Sequence, residues 1–436
     1  MSKAILSNKL YLENIKDSDK KKELLSTLTY PLESTQFKSN TKTAKVIIEY
    51  LKNYQLLSNG VIAIPSGRVD LLPEGYTLED RRIEVPVVFP NPKFPLRPSQ
   101  QEVIDQITGS CILNAKVGWG KTYSALHIAH KLGNKTLVVV HTSALRNQWV
   151  NEVKSLFGIE PGIIGGGVVK YEGYPIVIGN IQTLSKHKAE LSKVFGTVIV
   201  DEVHRLAADT FKDFLEGMYS KHRIGLSGTL TRKDGKHVIL PDLFGPVLFK
   251  PAVDNTVDPI INIVKSGIYL SYDEVWTKKI NNLLYDPDYQ EFIAKLAKMQ
   301  IDKGHSVLII ASRVEFLTKV KELLGETCLL VTGNTTDVER DAVKKAINSG
   351  THGAIAGSRQ IFSEGVSIDR LSAAILAEPI AQHGLCEQII GRIMRPWPEK
   401  LTPEVFDINY ADRPSSKQNN LRLQLYLEKG WQIKTY

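Results

Sequence analysis

The sequence predicts an α/β protein: two tandem units, each a largely parallel sheet covered by helices, behind a small α+β region. Three observations predict it. From Arg97 to about Lys250, short apolar runs rich in Val and Ile alternate with helical stretches; after "FGPVLFKPAVDNTVDP" the same rhythm restarts; and the proline cluster "PVVFPNPKFPLRP" sets off what comes before. A chain of 436 residues has room for two or three domains with separate cores. The boundaries expected are 1–91 for an N-terminal accessory domain, 92–250 for the first α/β domain and 251–436 for the second.

Taken in order, "KTAKVIIEYLKNYQLL" reads as a helix from its spaced apolar residues, and short strands follow around "GVIAIPSGRVDLLPEGY". In the first α/β unit "GSCILNA", "KTLVVVHT", "YPIVIGN", "GTVIVDE" and "RIGLSGT" read as buried strands, and "SALRNQWVNEVKSLF" as a helix between two of them. In the second unit "SVLIIAS", "TCLLVTG", "HGAIAGS" and "AAILAE" are the strands. The closing "SSKQNNLRLQLYLEKGWQIKTY" reads as a Ser-capped helix and a short strand completing the second unit.

Composition narrows the function class. Apolar content of 42% and charged content of 23% are those of a soluble globular protein, and the net charge of +8 leans toward a polyanionic partner. Cys111, Cys328 and Cys386 are scattered with no Cys-x-x-Cys pair, which argues against a zinc site, a disulfide framework or a four-cysteine cluster. The N-terminal segment has no signal-peptide core and no apolar run has membrane-spanning length, so a cytoplasmic protein without membrane contact is expected.

The chemistry concentrates in two stretches. "NAKVGWGKTYSALHIAHKL" runs from a strand, through a loop containing Gly118 and Gly120, into a helix. Glycines let successive backbone N–H groups point inward, and the helix adds the positive end of its dipole, so the loop suits an anion such as a nucleotide triphosphate. Lys121 can reach the β and γ phosphates and the Thr122 hydroxyl can sit on Mg²⁺, although Ala115 stands where the strict phosphate-loop pattern has Gly. In "TVIVDEVHRL" an apolar strand ends in two carboxylates, at the strand end where open α/β sheets bind ligands. Asp201 is placed to hold the same Mg²⁺ and Glu202 to orient and deprotonate an attacking water.

Together these strings resemble the motifs of superfamily 2 nucleic-acid helicases, in the group similar to XPB, RecG and UvsW, which includes bacteriophage branch-migration helicases. "LRPSQQEVID" resembles the adenine-recognising Q element, with Arg97 and Gln100; "AKVGWGKT" motif I; "VVHTSALRNQW" Ia; "IVIGNIQTL" Ib; "DEVH" II; and "GLSGTLTRKDG" III. "VLIIASRVEF" resembles motif IV, "SEGVSIDRL" V and "EQIIGRIMRP" VI. Departures are Ser-Gly-Thr in motif III, which keeps the hydroxyls of Ser227 and Thr229, Ser367 where motif V often has Asp, and Asp-Glu-Val-His rather than the Asp-Glu-Ala-Asp of the RNA-acting branch.

The resemblance implies two RecA-like domains, ATP and Mg²⁺ as cofactors, and DNA, branched or forked, as partner of a monomeric enzyme. It implies that Gly365 of motif V touches nucleotide, that Gln388, Arg392 and Arg395 of motif VI complete the ATP site when a cleft closes, and that His204, Ser227 and Thr229 couple hydrolysis to movement. Thr142, Thr183 and Ser312 are implied as contacts to the nucleic-acid backbone, which give affinity without sequence specificity. The implied function is an ATP-dependent DNA helicase that translocates on and remodels branched DNA. Two alternatives stay open: a double-strand translocase that does not unwind, and a nucleic-acid-binding scaffold with a vestigial ATPase.

Overall fold

The computed structural model describes residues 2–13, 15–37, 44–116, 119–203, 209–228, 235–251, 257–270, 275–359, 368–380, 383–411 and 413–436. Gly118, His204, Thr229 and Gly365 lie outside the described residues. Residues 1–116 with 120–253 make one compact unit, and 117–119 with 254–436 another.

The chain opens with Ser2–Leu6 (β1) and Lys9–Leu12 (β2), then the antiparallel hairpin Thr29–Phe37 (β3) and Ala44–Lys52 (β4). Gln55–Leu56 (β5), Ile62–Pro65 (β6) and Tyr76–Asp80 (β7) follow, and the first sheet has the order β5-β6-β2-β1-β7. Its apolar face, with Leu6, Leu10, Leu12, Ile62 and Ile64, packs with Leu24 and Leu28 from the helix Ser18–Thr27 and its end. Where a helix is expected over 42–57, the described residues form β4 and, after a break, β5. The apolar spacing there fits either period, but the β-branched run Val46, Ile47, Ile48 loses side-chain freedom in a helix, and β3 offers a full-length antiparallel partner in register from Thr29 opposite Lys52.

The first α/β sheet is built from Cys111–Asn114 (β8), Thr136–Val140 (β9), Gly162–Gly165 (β10), Val168–Lys170 (β11), Ile176–Asn180 (β12), Thr197–Val200 (β13), His222–Ser227 (β14) and Leu248–Phe249 (β15). Their order is β11-β10-β12-β9-β13-β14-β8-β15, and only the β10–β11 pair is antiparallel. Thr136, Leu137, Val138, Val139 and Val140 are all buried, as the continuous apolar runs of a doubly covered strand require. The helix Ser143–Phe157 starts where the sequence places it, because the Thr142 hydroxyl accepts the Leu145 N–H (3.2 Å), and it stops at Gly158 in the left-handed conformation.

Several bonds tie the N-terminal region to this unit, among them Lys9 to Glu216 (2.8 Å) and a cluster around one buried carboxylate. Asp242, in the short helix Leu240–Phe244, has no solvent exposure. It accepts hydrogen bonds from Tyr30 Oη (3.0 Å), Arg68 Nη1 (3.1 Å) and Asn53 Nδ2. Burial raises its carboxyl pKa, and the bonds from Asn53, Arg68 and Tyr30 oppose that rise. At Gly67 a Cβ would come within 2.5 Å of the Asp242 carbonyl oxygen, so the two backbones meet only because this position lacks a side chain.

The second α/β unit holds Ile260–Lys265 (β16), Val307–Ala311 (β17), Cys328–Val331 (β18), Ala354–Ser358 (β19), Ala373–Leu376 (β20), Glu404–Asn409 (β21) and Gln432–Thr435 (β22). All pairs in the order β18-β19-β17-β20-β21-β16-β22 are parallel. The last helix begins at Arg413 rather than at a Ser cap, and Ser415 is buried in its first turn. It is held to β21 by a buried pair, Arg422 to Asp407 (2.7 Å), with Tyr426 Oη donating to the same carboxylate. The strand expected after it forms the sheet edge. Among the described residues no helix is long and apolar enough to cross a membrane.

Candidate nucleotide site

Strand order decides what meets at the carboxyl edge of the first α/β sheet. β14 lies between β8, which feeds the glycine loop, and β13, which ends before the two carboxylates. Parallel register then puts Ser227 opposite Asn114, and the Ala115 N–H donates to the Ser227 carbonyl (3.0 Å). Motifs I, II and III thus arrive side by side.

The loop closes onto the helix Lys121–Leu132 at Gly120, which has φ +91°. A Cβ there would also lie 2.7 Å from Gln100 Nε2. Gln100 is buried in the first turn of the helix Pro98–Gln106, where its Oε1 accepts the Arg97 N–H (3.1 Å) and so fixes which way the amide faces. Arg97, Gln100 and the loop are one packed group. Lys121 Nζ donates back to the Ala115 carbonyl (2.9 Å), spanning the loop, and Thr122 is half-buried on the next helical position. The first N–H bonded within this helix is that of Ser124, to the Gly120 carbonyl, which leaves earlier N–H groups oriented for an anion.

Asp201 continues the strand ladder, its N–H donating to the Val139 carbonyl (3.1 Å), and is only 7% exposed. Its Oδ2 accepts from Trp149 Nε1 (2.9 Å) and its Oδ1 from the Glu202 N–H (2.9 Å). Burial and then the Glu202 charge push its pKa up to about 6, against the Trp149 bond and the Lys121 charge. A desolvated carboxylate under the influence of Lys121 is suited to meeting a cation. Glu202 has φ +52°, a conformation that costs a non-glycine residue about 1–3 kcal/mol and recurs at functional sites.

Trp149 escaped the sequence reading. It sits mid-helix in an apolar stripe, where a tryptophan reads as packing; the available signal was that a buried indole N–H needs an acceptor.

Thr142 and Thr183 follow the neighbouring ends of β9 and β12, where Val140 pairs with Asn180, so both lie on the same sheet edge as Asp201. Thr142 caps its helix and Thr183 is half-buried. Within the second unit, Gln388 and Arg392 are one turn apart on the helix His383–Ile393; Gln388 is half-buried and Arg392 is buried. Arg395, just beyond, pairs with Asp369 (3.0 Å). Ser312 follows β17, and its hydroxyl donates to the buried carboxylate of Glu378 (2.6 Å), which also faces Arg359 (3.2 Å). Glu378 and Asp369 were not singled out by sequence, since their partners come from separate elements: Ser312 and Arg359 follow strands, and Arg395 follows a helix.

Residues 93–232 match the family model described as type III restriction enzyme, res subunit, and residues 289–396 the helicase conserved C-terminal domain. The chain is similar to a probable helicase, D10, of Escherichia phage T5: 39% identical, covering 99% of this chain and 96% of that protein. It is 26% identical to the ATP-dependent DNA helicase uvsW of Enterobacteria phage T4, over 68% of this chain and 64% of that one. Among solved structures, S. cerevisiae Dbp5 bound to RNA and ADP BeF3 shares the fold, with TM-score 0.55 and 12% identity over 78% of this chain and 89% of that chain. The α/β units are accordingly RecA-like, and the chain belongs to the superfamily 2 ATP-dependent helicases of the XPB- and UvsW-like group.

Proposed function

We propose that this helicase acts on DNA and remodels branched substrates, forks and four-way junctions, rather than separating long duplexes. The observation that carries the DNA reading is the relationship to a phage protein named as a DNA helicase, uvsW, supported by the net charge of +8. Moving a junction replaces each broken pair with a new one, whereas net separation must supply about 1.4 kcal/mol per base-pair step. In this reading residues 1–91 choose the substrate, 92–250 and 251–436 are the two motor domains, and the chain works as a monomer in the host cytoplasm.

The residues present fit Mg²⁺ with ATP. Asp201 offers a desolvated carboxylate and Thr122 a hydroxyl beside the anion loop, and among the described residues no cluster of three or more His, Cys, Asp or Glu forms a protein cage. That sparse oxygen set suits an ion held largely through phosphates and water. When bound, Mg²⁺ would neutralise charge developing on the phosphates.

The chain's own groups would do the rest. Lys121 binds the β and γ phosphates, Glu202 orients water and takes its proton, and Gln388, Arg392 and Arg395 meet the charge spreading over the γ-phosphate oxygens. Arg97 and Gln100 hold the adenine end, with Gly118, Gly120 and Gly365 lining the nucleotide. Ser227, Thr229 and His204 relay its state, and Thr142, Thr183 and Ser312 grip the strand through phosphates.

Strand-displacement assays on a four-way junction, a fork and a tailed duplex test this reading. Faster conversion of the junction and fork is expected, and equal or better activity on the tailed duplex contradicts it. A second reading, a double-strand translocase that does not unwind, draws on the match to the type III restriction family. Triplex displacement without duplex unwinding would select it.

A further inference from the structure

The nucleotide site occupies the carboxyl edge of the first α/β sheet, and a second cluster of cations lies at the opposite edge. There, where the N-terminal sheet meets this unit, a cavity of ≈ 110 Å³ is lined by Arg82, Lys221, Arg223, Ser220 and Ser110, with Gly67 and Gly245 at its wall. Arg223 and Ser227 are both on β14, about 13 Å apart along an extended strand. The cluster is therefore separate from the phosphate loop.

Its charges do not balance internally. Arg82 and Lys221 both engage Asp80: Arg82 Nη2 at 2.8 Å, Arg82 Nε at 3.0 Å and Lys221 Nζ at 3.0 Å. Lys221 also lies 3.6 Å from Glu84. Arg223 is 4% exposed, and its side chain donates only to neutral carbonyls, Met218 O (2.7 Å) and Asn8 O (3.3 Å). Among the described residues no carboxylate lies within ion-pair distance of it. Burial, and next the Arg82 charge, pull its pKa down to about 10, with Glu216 opposing from farther off. Beside it Ser220, 1% exposed, has a hydroxyl with no hydrogen-bond partner. A buried cation lacking a counter-charge and a buried hydroxyl lacking a partner both cost stability, and both residues line the same small cavity.

We infer that this cavity is a second anion site taking a single phosphate group, as inorganic phosphate or as the terminal phosphate of a nucleic-acid strand. An oxyanion accepts from the Arg223 guanidinium and the Ser220 hydroxyl at once, supplying what each lacks. The volume admits one phosphate and excludes a nucleoside, since pockets for larger ligands run to several hundred Å³ (about 300 or more). Because the walls come from both the N-terminal region and the first α/β unit, an occupied site ties the accessory region to the motor.

The test uses the full chain carrying Lys121→Ala, which removes the phosphate loop's own lysine. The thermal midpoint is titrated with sodium phosphate against sodium chloride at equal ionic strength. A saturable rise is expected, because a ligand that binds only the folded state stabilises it by mass action. Adding Ser220→Ala with Lys221→Ala should weaken the apparent phosphate affinity by about tenfold or more. A rise absent in the Lys121→Ala protein, or unchanged by the Ser220 and Lys221 substitutions, overturns the inference. Arg223→Met is a second probe, expected to lose the phosphate response. To separate the sources, 5′-phosphorylated and 5′-hydroxyl oligonucleotides are compared: a preference for the phosphorylated strand that disappears on Ser220→Ala with Lys221→Ala assigns a strand terminus, and a phosphate response with no such preference assigns the free ion.

Discussion

Gly120 carries two constraints at once, a left-handed backbone and an amide of Gln100 where a side chain would begin. Gly120→Ala is therefore expected to destabilise the protein by about 1–2 kcal/mol and to raise the KM for ATP by displacing Gln100 from the loop. Denaturant unfolding and steady-state kinetics check this, and an unchanged KM would show that Gln100 does not depend on the close approach.

Lys400 gives a pH signature. Its ammonium grips the carbonyls of Asp369 (2.8 Å) and Arg395 (2.6 Å), and burial, resisted by Asp369 and aided by Arg395, pulls its pKa down to about 8. The native state then sheds this proton before the unfolded chain does. Between pH 8 and the ordinary lysine value the unfolded state holds more protons, so this group's contribution to stability rises with pH. The neutral amine keeps two N–H bonds for the same two carbonyls. The thermal midpoint of wild type relative to Lys400→Met should therefore increase from below pH 8 to about pH 10; a constant difference would remove Lys400 as the cause.

Residues such as Lys121, Asp201 and Glu202 were legible in the sequence because strand, loop and helix that present them are contiguous. Trp149, Asp369 and Glu378 were not, because the partner that gives each a role comes from a separate element of the chain.

The strands of both α/β sheets were read correctly where a doubly covered strand leaves a continuous apolar run, as in β9 and β17. The N-terminal hairpin was misread because Val46, Ile47, Tyr50, Leu51 and Tyr54 satisfy a helical spacing too, and only the complementary strand β3 decides. The N-terminal strands β1 and β2 are short and half-polar and went unread, although their buried positions alternate as a one-sided sheet requires. One of the ties between this region and the motor was also invisible, since Asp242 gathers Tyr30, Asn53 and Arg68 from far along the chain. Asp242→Ala leaves the Arg68 guanidinium without that carboxylate and should cost about 3–5 kcal/mol. Hydrogen exchange should then accelerate first in β1, β2 and β6; unaltered exchange there would mean that the carboxylate is not what holds the sheet.

For the protein as a motor, fold and family agree: two RecA-like units, helicase relatives over nearly the full chain, and a desolvated Asp201 beside the lysine-bearing loop. The finer reading depends on hydrolysis being tied to a strand. The most direct measurement is the ATPase rate with no nucleic acid, with single-stranded, duplex and four-way-junction DNA, and with RNA. The account expects slow turnover alone, strong stimulation by DNA with the junction most effective, and loss of turnover in Arg395→Ala with DNA affinity retained. Turnover that ignores DNA, or stimulation by RNA alone, would contradict it.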